Sequence, residues 1–269
     1  MIGLDFPVKP AWIQDVLRLW QPDQAISALV QAALAQTMAE LGGEKTRRNS
    51  LTVILRYFVP TVGGGQTRRT TQSNVWAAYA AVDSPEALAP AYLARIIAGN
   101  DVARETVRFI IGRRSSSNTF TSSDLRRRMI AHFGQRNVVL NSTSAFLRTL
   151  LAFAVLDSGS RLGDYRVASS LPVSEAVFPL LVWAWWELHG GPQIDLDAFA
   201  AAPAFSFVET AHFTEWWQAY QGRLWSLEDR LDGRRAALKQ VTPQALEKAI
   251  SAVSATAREF TPYRFGYGR

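Results

Sequence analysis

Asn118-Thr119-Phe120-Thr121-Ser122-Ser123-Asp124-Leu125, continued by Arg126-Arg127-Arg128, opens the stretch whose reading decides the fold, and that stretch runs to Ser170. Thr121, Ser122 and Ser123 carry oxygens that accept from the free N–H groups of a helix start. Asp124 sits where the helix dipole is positive. Leu125, Met129, Ile130 and Phe133 recur at helical spacing, and Gly134 tolerates the left-handed backbone of a helix stop. After Gln135 to Leu140, the run Asn141-Ser142-Thr143-Ser144 offers a second set of caps. Phe146, Leu147, Leu150, Leu151, Ala154 and Val155 continue at helical spacing, predicting a second helix from about Ser142 to Leu156. Asp157-Ser158-Gly159-Ser160-Arg161-Leu162-Gly163-Asp164 sets two glycines among polar residues, and Tyr165-Arg166-Val167-Ala168 alternates as a half-buried strand does.

Helix, turn, helix, then a basic turn leading into a returning strand: in this order residues 118–170 resemble winged-helix DNA-binding domains. The resemblance implies a first helix that crosses the duplex backbone and a second that enters the major groove. Arg126, Arg127 and Arg128 would then face phosphates, although three consecutive helical positions span about 200° of arc, so at least one must point away. Ser142, Thr143 and Ser144 would meet phosphate or base edges, with Arg148 one turn later, and Arg161 and Arg166 would belong to the wing. A competing reading rests on Phe146, Leu147, Phe153 and Leu156, which make the second helix apolar around much of its circumference, as in a core helix buried on both sides.

Composition bounds the function. With 269 residues, 48% hydrophobic and 11% aromatic, the chain has material for a sizeable core. A formal charge of +6 favours a polyanionic partner, because cations on a protein surface gain affinity by releasing counterions from phosphate. Lys9, Lys45, Lys239 and Lys248 are the only lysines, and arginine's planar fork suits phosphate and guanine edges. Without cysteine there is neither a disulfide framework nor a thiolate metal site. The N-terminus lacks the basic and apolar regions of a secretory signal, and the apolar run Val177 to Trp186 is about half a membrane span. No membrane partner and a cytoplasmic location are the expectations.

Along the chain, helices are predicted at Ala11 to Trp20, at Asp23 to Leu41 with Gly42-Gly43 as stop, at Asn74 to Val82, at Ser84 to Ala98 and from Asp101 to the basic end Arg113-Arg114. Leu51 to Val59 suits either helix or strand. Between Thr61 and Thr71, glycines beside Arg68 and Arg69 are placed to lay amides and guanidinium groups against phosphates, yet the Walker lysine is missing. A solvated basic loop is the blander reading there. Past Ser170, helices are predicted at Val177 to His189, Asp195 to Ala202, Thr214 to Arg235 and Thr242 to about Glu259, with a strand at Phe205 to Val208 and an aromatic tail from Thr261. No internal repeat of fixed period is visible. The expected organisation is a mainly α helical bundle in three parts: an N-terminal helical region 1–117, the winged-helix segment 118–170 and a Trp-rich helical region 171–269.

Catalytic candidates are sparse. His132, His189 and His212, the only histidines, lack metal-ligand spacing. His189-Gly190-Gly191 has no G-x-S-x-G nucleophile to serve, and Asp195-x-Asp197 has no nearby lysine and reads better as a helix cap with a first-turn acid. The expectation is therefore a non-enzymatic chain with no catalytic residue, metal or cofactor. Its DNA contacts would come from Arg68, Arg69, Arg113, Arg114, Arg126, Arg127, Arg128, Ser142, Thr143, Ser144, Arg148, Arg161 and Arg166.

The Ala87-Leu88-Ala89-Pro90-Ala91-Tyr92-Leu93 helix, the Val107-Arg108-Phe109-Ile110 helix and the Ser144 to Leu156 helix before the wing together resemble the BrxA family, small helical accessory proteins of BREX phage-defence systems. The resemblance implies a DNA-binding, non-catalytic component of a bacterial defence system, with double-stranded DNA and other subunits of a defence complex as partners. The Trp-rich C-terminal part departs from that family. It carries the alternative, a protein–protein interaction subunit that docks onto a larger complex through this part.

Overall fold

From Leu88 to Ala98 every residue of one helix is buried, as expected for a helix that is apolar on all sides. The rest of the chain is laid around it. The computed structural model describes residues 4–114, 117–231, 233–239, 244–245 and 247–252. Before the central helix come α1 (Pro10–Arg18), α2 (Ile26–Gln36), α3 (Glu44–Phe58), the hairpin β1 (Thr61–Val62) and β2 (Arg69–Thr70), and α4 (Val75–Ala80). The central helix is α5 (Pro85–Ala98), and α6 (Asp101–Arg114) follows it. The sequence explains the starts: Asn74 accepts from the amides of Trp76 and Ala77, and Ser84 accepts from Ala87 ahead of Pro85. The expected mainly α character is what the chain has. Among the described residues no helix is long and apolar enough to cross a membrane.

Beyond α5 the chain builds the same arrangement twice. In the first unit α6 leads to β3 (Thr119–Thr121), α7 (Ser122–Phe133), α8 (Asn137–Ala152), β4 (Leu156–Ser158) and β5 (Asp164–Val167). In the second, α9 (Phe178–His189) leads to β6 (Gln193–Asp195), α10 (Leu196–Ala200), α11 (Phe213–Ala219), β7 (Trp225–Arg230) and β8 (Gly233–Leu238). Both sheets are antiparallel, and in both the last strand lies between the other two, in the orders β3-β5-β4 and β6-β8-β7. Each first strand ends on the residue that caps the next helix: Thr121 accepts from the Asp124 amide at 3.0 Å and Asp195 from the Ala198 amide at 2.8 Å. The leading helices α6 and α9 both pack on α5. The repeat is one of topology, not of sequence period, because the connecting turns and helix lengths differ.

Several expectations are corrected. The predicted helix Thr214 to Arg235 ends at Ala219, and a hairpin follows in which Trp225 faces Leu238. Gly222 takes φ 84° at the break, and beyond it Trp225 to Arg230 pair residue by residue with Leu238 to Gly233. Phe205 to Val208 is not a strand, since Pro203–Phe205 is a single 3₁₀ turn and Val208 makes only an isolated bridge to Leu171. α2 is shorter than predicted because Asp23 (φ 53°) and Met38 (φ 57°) turn the chain at its ends. Leu51 to Val59 resolves as helix, since burial of Leu51, Ile54 and Phe58 follows the helical period. The segment around residue 170 is tied to the second unit: the Leu171 N–H donates to Phe207 O at 2.8 Å and the Glu209 N–H to Leu171 O at 2.9 Å. The tryptophans are no correction: most sit in helical apolar stripes, which points to a core role, and Trp183, Trp186, Trp217 and Trp225 are buried. The last helix is present at 244–245 and 247–252; its predicted opening at Thr242-Pro243 and the tail from Thr261 lie outside the described residues.

Candidate nucleic-acid interface

Helix α8 starts at Asn137, five residues before the predicted start, and this changes which side chains it exposes. Val139, Thr143, Phe146 and Leu150 are in one helical register and all buried, so the apolar phase continues through the segment read as a connection. Ser142 and Thr143 are therefore interior and do not serve as caps. Ser142 Oγ accepts from the Leu4 N–H at 2.8 Å, and Thr143 Oγ1 donates to Val139 O at 2.8 Å, which leaves neither for an external partner. The segment carrying Leu4 and Val8 runs along α8, where the Val8 N–H donates to Thr149 Oγ1 at 3.2 Å. With this strap on one side and α6 and α7 on the other, α8 exposes Asn137, Asn141, Ser144 and Arg148 as a stripe, with Val138 also exposed in its first turn. Their spacing of four, three and four residues places them in line along the helix. The helix is thus neither walled in nor freely exposed.

The three consecutive arginines of α7 divide as their arc requires. Arg128 turns back to α6, where Nε lies 2.8 Å and Nη2 2.6 Å from Glu105 Oε1. Glu105 is buried and also takes Arg108 at 3.5 Å, so Arg128 neutralises an interior carboxylate and holds α7 to α6. Arg127 pairs with Asp124 on its own helix. The Thr121 hydroxyl, first, and the Arg127 cation beside it hold the Asp124 carboxyl below its usual range. Arg126 is exposed and has no partner among the described residues. The same holds for Arg136 at the N-cap of α8, for Arg148, and for Arg161 in the turn between β4 and β5.

That turn carries Leu162, which is 107% exposed beside Arg161. Gly163 makes the turn possible: at φ 88°, a Cβ there would lie 2.7 Å from Ser122 Oγ. Arg166, on β5, pairs across the sheet with Asp157 at 2.9 Å. Arg113 and Arg166 line one groove of about 580 Å³ between the end of α6 and this turn, together with Asp124 and Asp164. Arg113 also lies over the Phe109 ring at 5.5 Å, and Arg114 reaches Ser170 Oγ at 3.4 Å.

Arg68 and Arg69 belong elsewhere. Arg69 Nε lies 2.9 Å from Asp23 Oδ1, and Arg68 Nε donates to Thr61 Oγ1 at 2.9 Å. The stretch 61–71 is a hairpin tied to the start of α2, where the Ile26 N–H donates to Arg68 O. Its cations fasten that hairpin and do not extend the basic surface of the first unit.

Charge follows this division. Residues 101–168 contain eleven arginines and five carboxylates, a formal +6 equal to that of the whole chain. Residues 178–239 contain five Lys or Arg and eight carboxylates, a formal −3. Reading the sequence missed Arg136, Asn137 and Asn141, because the cap-like run 141–144 outweighed the apolar phase of Val139. Among the described residues no three His, Cys, Asp or Glu are grouped so as to hold a metal ion. Comparison with protein-family models, with curated proteins and with solved structures finds no match for this chain.

Proposed function

We propose that this chain binds double-stranded DNA through residues 101–168 acting as a winged helix, without a catalytic step of its own. One observation carries the reading. Within a unit whose strands run in the order β3-β5-β4, α8 exposes Asn137, Asn141, Ser144 and Arg148 in one line. Asn and Arg are the side chains that pair bidentately with adenine and guanine edges in the major groove. Arg126, Arg136 and Arg161 supply charge for phosphates, and Leu162 gives the wing an apolar tip of the kind that reaches into a minor groove. Arg127 and Arg166 are ion-paired at exposed positions, where solvent screens such pairs and leaves them weak, so phosphate competes for them at little cost.

A titration of labelled duplex at two salt concentrations tests this. Affinity falls steeply between about 50 and 200 mM salt if several phosphates are neutralised; an affinity indifferent to salt removes the proposal. A place in a phage-defence system rests only on the resemblance of the middle helices and is proposed on that basis. The alternative, docking of the C-terminal part onto a larger complex, has to rely on the acidic surface of the second unit, since most of its tryptophans are interior.

A further inference from the structure

Between α9, the residues leading into α4 and the helical residues 244–245 and 247–252 lies a cleft of about 640 Å³, within the size range of small-molecule sites. Three carboxylates line it, Asp23, Glu187 and Glu247, and among the described residues no lysine or arginine does, in a chain of formal charge +6. Two of the three are neutralised from behind. Asp23 is paired with Arg69 at 2.9 Å and Glu187 with Arg95 at 3.3 Å. Glu247 has no cation among the described residues: its Oε2 accepts from Ser73 Oγ at 3.0 Å, while its buried Oε1 finds no donor there. The residue is only 9% exposed. Burial, first, and the nearby Glu187 charge raise its pKa, against the pull of the Ser73 hydroxyl and of the Val75 amide, which lies toward the carboxylate without reaching full hydrogen-bond geometry. A buried carboxylate oxygen without a donor is costly, which is why such groups are nearly always matched.

The apolar part of the lining comes from Trp76, Trp183 and Trp186 together with Pro60, Val62 and Val75. Burial raises the pKa of Glu187, and the Arg95 cation and the N–H groups of Trp76 and Trp183 offset part of that rise. Those two N–H groups lie toward the carboxylate without reaching full hydrogen-bond geometry. Indole rings and a carboxylate are the pair that recognises an organic cation, the rings through their quadrupole and the carboxylate through charge.

We propose that this cleft binds a small organic cation, an ammonium or guanidinium group on an apolar stem, with Glu247 as its counter-charge. Inorganic cations fit less well, because among the described residues no three His, Cys, Asp or Glu are grouped so as to hold a metal ion, and a hard ion needs several oxygens converging on one point. The ligand is either a free amine-type metabolite or a lysine or arginine side chain of a peptide. The chemistry of recognition is the same for both. The site is independent of the basic surface of the first unit.

Isothermal titration of the full chain with n-butylammonium, n-butylguanidinium and N-acetyl-arginine methylamide tests the proposal, with 1-butanol and butyrate as neutral and anionic controls. The expected result is saturable binding of at least one cation, none of the controls, and at least tenfold weaker cation binding by Glu247→Gln. That variant removes a buried charge and keeps the shape, so it is expected to melt no lower than the parent at pH 7. Tighter binding of the amide-flanked arginine assigns the site to a peptide side chain, and the reverse assigns it to a free metabolite. Flat titrations with all three cations overturn the proposal, as does unchanged binding by Glu247→Gln.

Discussion

The first unit, 101–168, and the second, 178–239, share an order of helices and strands, a sheet order and a capping device, yet their surfaces have diverged. The third helix has sixteen residues in the first unit and seven in the second. In the first unit the exposed cations Arg126, Arg136, Arg148 and Arg161 have no carboxylate partner among the described residues. On the second hairpin Arg230 is paired with Glu228 at 2.7 Å and Arg234 with Asp229 at 2.9 Å. Exposed positions of α11 include Glu215, which faces His212 at 3.0 Å. Both hairpin tips bear an Arg-Leu pair with the leucine fully exposed, Leu162 at 107% and Leu231 at 111%. Topology here is a property of the buried positions, and what each unit binds is a property of the exposed ones.

Removing the free cations tests this contrast most severely. Alanine at Arg126, Arg136 and Arg161 together is expected to lower the slope of log affinity against log salt by about 0.9 for each phosphate no longer neutralised. Arg223→Ala with Arg230→Ala in the second unit leaves that slope unchanged. If the second pair mattered as much as the first set, the division between the units would collapse. Next in size, Arg148→Ala and Asn141→Ala each cost about 1–3 kcal/mol on the preferred duplex and little on random duplex. Equal losses on every sequence, read by competition binding, would demote them to phosphate contacts.

Stability separates neighbouring arginines of one helix. Arg128→Ala leaves the buried Glu105 short of its main partner and costs about 1–3 kcal/mol in denaturant unfolding, whereas exposed Arg126→Ala stays within about 0.5 kcal/mol. Indistinguishable midpoints would show that Glu105 does not depend on Arg128. The smallest effect probes the shared cap: Thr121→Ala and Asp195→Ala each cost about 1 kcal/mol. A large loss in one and none in the other would mean that the two units are alike in outline only.

Much of this was legible in the chain because helix starts announce themselves chemically. Asn74, Ser84, Thr121 and Asp195 all cap helices, the last three as read from their side chains and their neighbours. The same logic misled at Asn141 to Ser144, where four cap-forming residues sit inside a helix. Ser142 and Thr143 found partners in the Leu4 amide and the Val139 carbonyl, one distant and one local. The hairpin at 225–238 was hidden because its apolar residues also satisfy a helical spacing, and only pairing of Trp225 with Leu238 decides for strands.

By itself the sequence determined the central apolar helix, the capped starts, the arginine-rich middle and the interior role of most tryptophans. These follow from local hydrogen bonding and from the cost of leaving apolar surface in water. Only the tertiary structure decided which arginines are spent on internal carboxylates, which stripe of α8 faces out, and that a second unit repeats the first in a chain without sequence repeat. The reason is physical: ion pairing between helices and the pairing order of strands join residues far apart in the chain, and their energies depend on burial that no local pattern encodes.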